Sequence, residues 1–258
     1  MYSQIWNSRK LIQFLVKGQI EASVHRTALG NIWYSLVPLS QILIYYFLIV
    51  IVFNTGDPSN NDSLLVILIG LMHYLSLTHV GSYSLPAIYN NSMLLLQVKL
   101  EPIVLIAAGY YRTIRLSLIN VVIALVGFVS FGGKITMRLL FYPLILLAWA
   151  CLVWSISIFT AVCAVYIRDL EKLYPIIIQI FMYLSGVVYT VLLFPQSHQW
   201  LLILNPIACI FALLQWSFLG VDISIREPII VLAIVIPLSL LGAQISYLLL
   251  RHNFTKAF

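Results

Sequence analysis

Six long apolar runs dominate this chain, at about 32–53, 64–88, 103–131, 139–166, 174–194 and 228–250. A helix needs about twenty apolar residues to cross roughly 30 Å of hydrocarbon, and each run meets that length. Apolar residues make up 62% of the 258 and charged residues 9%, whereas soluble domains are roughly half apolar and a quarter charged. So much apolar surface cannot be hidden in a soluble core of this size. The chain reads as an all-α integral membrane protein forming a single transmembrane domain over 1–258.

A seventh apolar stretch, WLLILNPIACIFALLQWSFL at 200–219, is interrupted by Asn205-Pro206. The piece after the break has about thirteen residues, or about 20 Å of helix, too short to span. Pro206 also disfavours helix at the residue before it. The expectation is a re-entrant pair of short helices between spans five and six. The domain then divides into an interfacial segment (1–30), spans one to five (31–195), the re-entrant segment (196–227), and span six with its tail (228–258).

Charge favours six spans over seven. With six, the segments 1–31, 89–115, 167–173 and 251–258 share one side and carry Arg9, Lys10, Lys17, Arg26, Lys99, Arg112, Arg115, Arg168, Lys172, Arg251 and Lys256. The other side keeps Lys134, Arg138 and Arg226. Cytoplasmic loops are the basic ones, so both termini are expected in the cytoplasm. The net charge of +6 is therefore a topology signal, and no dense basic run points to nucleic acid. Cys151, Cys163 and Cys209 lie in apolar runs with no disulfide or metal spacing. No cleavable signal peptide is expected, because the N-terminus lacks a short apolar core followed by a small-residue cleavage site.

Residues 9–26 form an amphipathic pattern. At 100° per residue Leu11, Ile12, Leu15, Val16 and Ala22 share one face, and Lys10, Lys17 and Glu21 share the other. Such a helix lies in the membrane interface, as a lipid anchor or as a docking site for a partner. The stretch that follows, ALGNIWY, reads as an elbow. Gly30 suits a left-handed helix stop, Asn31 an N-cap, and Trp33 with Tyr34 the headgroup belt.

Much familiar chemistry is missing. The nearest approach to an ATP-binding loop, GGKIT at 132–136, lacks the glycine spacing and has Ile135 where Ser or Thr should follow the lysine. The carboxylates fall in loops or at span ends, unlike those of many ion-coupled carriers. His73 and His79, six residues apart, point to different faces of the second run, so a shared metal is not expected. Hydrogen bonding to a neighbouring helix is the simpler reading for a histidine there. No Ser/His/Asp set or carboxylate pair suggests an enzyme. Arg112 and Arg115 share a face at the start of the third run. They either snorkel to the headgroups or meet an anionic substrate such as a lipid diphosphate. Among the aromatic residues Tyr45, Tyr46, Phe47, Trp149, Trp154, Phe181, Tyr183 and Tyr189, a subset could line a path and offer flat faces to sugar rings.

In order and spacing, three segments resemble the permease subunits of ABC-2 type polysaccharide exporters, which serve O-antigen, capsule and teichoic-acid export. They are RTALGNIWYSLVP at the first span, IRDLEKLYPIIIQIFMYLSGVVY at 167–189, and the Leu-Asn-Pro segment at 200–219. The likeness runs through nearly the whole chain. It implies two copies of this chain paired with two copies of a separate ATPase. ATP and Mg would be bound by that partner, with no cofactor in this chain, and a lipid-linked polysaccharide would pass between the two copies in the bacterial inner membrane. It implies coupling to the ATPase through the interfacial helix (Lys10, Lys17, Glu21), a short helix at about 90–101 (Gln97, Lys99, Glu101) and the Arg168-Asp169 loop. It places an outer gate at 196–219, with Trp200, Asn205 and Pro206. The candidate substrate path near Tyr45, Tyr46, Tyr183 and Tyr189, with Arg112 and Arg115 at the inner mouth, rests on the residues themselves, since the arginine pair is not part of the family pattern. Pro102, directly after Glu101, suits the first turn of the third span. The rival readings are an ABC-2 exporter of a drug or small lipid, and a non-transporting membrane scaffold. If 90–101 is a lever, replacing Lys99 and Glu101 together should weaken stimulation of the partner's ATPase while membrane insertion stays intact. Unchanged stimulation in reconstituted vesicles would count against that role.

Overall fold

A computed structural model describes residues 2–24, 29–52, 62–97, 100–193, 200 and 204–250. Among these, the regular structure is helical and no strand occurs. The helices are α1 (Tyr2–Asn7), α2 (Arg9–Val24), α3 (Trp33–Tyr46), α4 (Asp62–His79), α5 (Ser92–Gln97), α6 (Pro102–Ser130), α7 (Tyr142–Tyr166), α8 (Leu170–Leu184), α9 (Pro206–Leu219) and α10 (Arg226–Leu250). Four helical stretches are long and apolar enough to cross a membrane: Asp62–Leu95, Pro102–Ser130, Met137–Tyr166 and Arg226–Leu250. In hydrocarbon each backbone polar group needs an internal partner, which a helix supplies within its own segment.

The centre of the molecule is α4. Every residue from Leu65 to Leu77 is buried, with α3, α6, α8 and α9 packed around it. A helix that is apolar all round belongs inside. In lipid, however, apolar surface gives little net drive for helices to associate. Close backbone approach and interhelical hydrogen bonds take over that role. Both are concentrated on α4. A Cβ built on Gly70 would lie 1.7 Å from the carbonyl oxygen of Val187, so glycine alone lets that segment approach. The His73 ring is held at both nitrogens. Nδ1 lies 2.7 Å from the Ile69 carbonyl, which can only accept, so Nδ1 carries the proton. Nε2 then accepts from the Tyr142 hydroxyl at 2.8 Å. The sequence reading of His73 as a histidine bonded to a neighbouring helix fits this geometry. One turn further on, the Trp149 indole donates to Ser76 Oγ at 2.8 Å and to the His73 carbonyl at 3.2 Å. The hydroxyl of Tyr174 on α8 donates to the Leu77 carbonyl at 2.9 Å, and Tyr74 returns a bond to the Ile178 carbonyl.

The fifth apolar run is not one helix. Its helix stops at Leu184, and Gly186 takes a left-handed φ of +66°. The broken backbone is caught by Gln215 of α9. The Gln215 amide donates to the carbonyls of Gly186 at 2.8 Å and Tyr189 at 2.9 Å, and its oxygen accepts from Val191 N–H at 2.9 Å. Asn205 does two jobs at the start of α9: its oxygen caps Ile207 N–H at 3.0 Å and its NH2 donates to Ser185 Oγ at 2.8 Å. The expected 174–194 helix is therefore corrected to a fifteen-residue helix and a clamped turn. Hydropathy could not see it, since the partner that stabilises the break lies far along the chain.

α9 begins at Pro206, ends at Gly220 and is buried through most of its fourteen residues, too short to span as expected. The upstream half of the expected re-entrant pair, 201–203, and the tail 251–258 lie outside the described residues. The first run is helical from Trp33 and continues as a wide π-helical segment over Phe47–Val52. Gly30 has the left-handed φ expected, +50°. Asn31 is not the cap: it sits within a 3-10 turn, Gly30–Ile32, and the cap position before Trp33 falls on Ile32, which makes no side-chain cap. Leu36, Leu43 and Leu238 are among many large apolar side chains left exposed, the expected surface of a helix bundle facing lipid.

Gly70→Ala should destabilise the protein by ~1–3 kcal/mol or more, because the clash is with backbone. Gly18, with nothing within 4 Å of a built Cβ, should tolerate alanine and gain up to about 1 kcal/mol. Thermal unfolding of the two variants in detergent separates these outcomes.

Candidate functional site

A cavity of about 470 Å3 opens between α3, α4 and α8. α3 contributes Gln41 and Tyr45, one helical turn apart and so on one face. α4 contributes Tyr74 and Thr78 by the same spacing, and α8 contributes Tyr174, Gln179 and Met182, with Glu171 at its first turn. The hydroxyls of Tyr74 and Tyr174 are committed to backbone carbonyls of the facing helix, so these two rings are fixed walls. The Tyr45 hydroxyl lies 3.8 Å from the Met182 thioether, a weak acceptor, and also hydrogen-bonds the side chain of Tyr183. Three aromatic rings, two primary amides, the hydroxyls of Thr78 and Ser82 and a carboxylate thus surround one space in a body that is otherwise mostly carbon. Such a lining offers flat apolar faces together with hydrogen-bonding edges. A polyhydroxylated ring needs both.

Of the sequence-predicted path residues, Tyr45 alone lines this cavity. Tyr46 is half-buried on α3, and Tyr183 is exposed. Tyr189 folds back at the break after α8, its hydroxyl donating to the Tyr183 carbonyl at 2.7 Å. Tyr74, Tyr174, Gln41 and Gln179 were not singled out from sequence. The i, i+4 pairing of Gln41 with Tyr45 and of Tyr74 with Thr78 in otherwise apolar runs could have found two of them; Tyr174 and Gln179, five apart, do not pair in this way.

The two arginines part company. Arg112 is buried at 7% exposure, its guanidinium 4.0 Å over the Tyr83 ring and its Nη1 donating to Gln19 Oε1 of α2 at 3.5 Å. Arg115 is exposed. Although the two are three residues apart on one face, α2 covers Arg112 and leaves Arg115 open. Neither lines the α3–α4–α8 cavity.

The expected coupling residues lie on separate elements. α2 buries Ile12 and Val16 against the apolar cluster that contains Ile103, Val104 and Ala107 of α6. Lys10, Lys17 and Glu21 remain exposed, with Lys17 Nζ 3.8 Å from Glu21. Gln97 is exposed at the end of α5, and Arg168 and Asp169 are exposed in the α7–α8 turn. Lys99 lies outside the described residues. Glu101 precedes α6 in extended conformation, with Pro102 in the first turn as expected. Its carboxylate accepts from the hydroxyl of Tyr247 on α10 at 3.4 Å, and that hydroxyl in turn accepts from Ile103 N–H at 3.3 Å. Tyr247 was missed in the sequence because nothing local distinguishes it from the belt tyrosines. At the proposed gate, Trp200 is exposed, while Asn205 and Pro206 are half-buried at the start of α9. His79 is half-buried beside Tyr83. Among the described residues no three His, Cys, Asp or Glu side chains gather to hold a metal.

Comparison with known protein families and with curated proteins finds no match for this chain.

Tyr174→Phe should cost ~0.6–2 kcal/mol, the range of an interhelical hydrogen bond in a membrane protein. Tyr45→Phe, which gives up a long contact to sulfur and a hydrogen bond to the exposed Tyr183, should cost less than loss of the buried Tyr174 bond. Unfolding in detergent measures both.

Proposed function

We propose that this chain is the permease subunit of an ABC-2 type exporter that moves a lipid-linked polysaccharide across the bacterial inner membrane. The observation that carries the reading is the α3–α4–α8 cavity, where Tyr45, Tyr74 and Tyr174 stand beside Gln41 and Gln179. A sugar ring is bound by stacking its C–H face on aromatic rings while its hydroxyls find amides, and few other cargoes call for that combination. The cavity is lined in part by α3 and α8, both of which expose large apolar side chains. Two copies meeting there would close the groove into a passage.

In this reading the chain crosses the membrane six times with both termini in the cytoplasm. The first run and the α8 segment with its clamped turn add two crossings to the four long helical stretches, and α9 belongs to a re-entrant outer gate with Asn205, Pro206 and Trp200. Power comes from two copies of a separate subunit that binds ATP and Mg. They engage the exposed Lys10, Lys17 and Glu21 on α2, Gln97 with Lys99 and Glu101 before α6, and Arg168 with Asp169. The Tyr247–Glu101 contact supports a coupling role for the segment before α6, since it links movement there directly to α10.

Deleting the gene should leave full-length polysaccharide trapped inside the cell. A copy carrying Thr78→Trp, which fills the groove from an exposed position, should insert normally and restore export poorly, by roughly tenfold, the equivalent of about 1.4 kcal/mol. An ATPase should co-purify with the chain. Normal surface polymer after deletion would exclude the reading.

A further inference from the structure

We propose that the cleft between the N-terminal helices and α6–α7 is a binding site for an anionic phospholipid, with one acyl chain in the cleft and the phosphate on Arg9. The cleft has a volume of about 440 Å3. Its walls are Ile5 and Ile12 from α1 and α2, Ala107 and Tyr110 from α6, and Ala150 and Trp154 from α7. These six present mostly carbon, with Gln13, Tyr111 and Cys151 adding polar atoms to the lining. The one hydroxyl among these six, on Tyr110, is turned across the wall to donate to the Ala150 carbonyl at 2.9 Å, and its ring lies 4.8 Å from that of Trp154. Ala107 and Ala150 leave the width, because a larger side chain at either would enter the space.

The rim is different in kind. Arg9 lines the cleft and holds its guanidinium 4.9 Å from the Trp6 ring, and Trp6 is 69% exposed. Lys10 follows, also exposed. An amphipathic helix of this type lies at the level of the headgroups. A cation and an indole there, above a carbon-lined slot leading inward, match a phosphodiester with an attached hydrocarbon chain. Within a bilayer the tail gains little by exchanging lipid neighbours for protein. Selectivity therefore resides in the charge, and a zwitterionic lipid of the same chain length should bind less well. This inference rests on the cleft and its rim and does not depend on the proposed export function.

The test is native mass spectrometry of the full chain released from mixed micelles holding equal amounts of phosphatidylglycerol and phosphatidylcholine. The wild-type protein should retain phosphatidylglycerol in preference. Arg9→Glu should reduce that preference by roughly tenfold without changing the melting temperature. Ala107→Trp, which fills the slot, should lower retention of both lipids. Excess inorganic phosphate should not displace the lipid, because the slot holds the chain. Equal retention of the two lipids, an undiminished preference in Arg9→Glu, or displacement by phosphate alone would each overturn the proposal. So would a shift from dimer to monomer in Ala107→Trp with lipid retention unchanged, which would make the cleft a seat for a second copy.

Discussion

The hydrogen bond from Tyr142 to His73 stands for the constraint that organises the whole molecule. In a hydrocarbon surrounding, helices gain little by hiding apolar surface from one another. Specific position must come from polar groups that have no better partner and from places where backbone can approach backbone. α4 carries both. His73 and Ser76 engage α7, Tyr74 and Leu77 engage α8, and Gly70 admits the Val187 carbonyl. Neighbouring helices are thereby placed around α4 by a few directional contacts and not by general greasiness. The α3–α4–α8 cavity follows from this placement, because the same bonds that fix α8 against α4 hold the Tyr74 and Tyr174 rings as its walls.

What was legible in the sequence was whatever depends on length, local capping or a charged face. The four long helical stretches fall where the second, third, fourth and sixth apolar runs stand. Pro102 opens α6, Gly30 turns left-handed, and α2 covers 9–24 with its lysines outward. These features are encoded within a few residues of where they act. An amphipathic helix such as α2 betrays its buried side because its other side is charged.

The spanning helices give no such contrast. A face toward lipid and a face toward protein are both apolar, so α7 could not reveal that Trp149 is buried while Leu147 is exposed. Arg112 and Arg115 illustrate the same blindness. Three residues apart on one helix, they differ because α2 happens to lie over one of them. The walls of the cavity and the Tyr247–Glu101 contact join residues from distant parts of the chain; the i, i+4 pairing of Gln41 with Tyr45 or Tyr74 with Thr78 marks a face within one run but not which other run it meets. The break after Leu184 was hidden for a related reason. Gly186 and Ser185 look innocuous inside an apolar run until Gln215 and Asn205 arrive to satisfy the interrupted backbone.

That dependence sets an order on biosynthesis. While the ribosome is still short of position 215, the peptide groups near Gly186, Tyr189 and Val191 lack the amide that later holds them. The fifth hydrophobic segment can therefore reach its final shape only after α9 has been translated and has returned to meet it. The two segments are one folding unit, although 24 to 29 residues separate their key atoms.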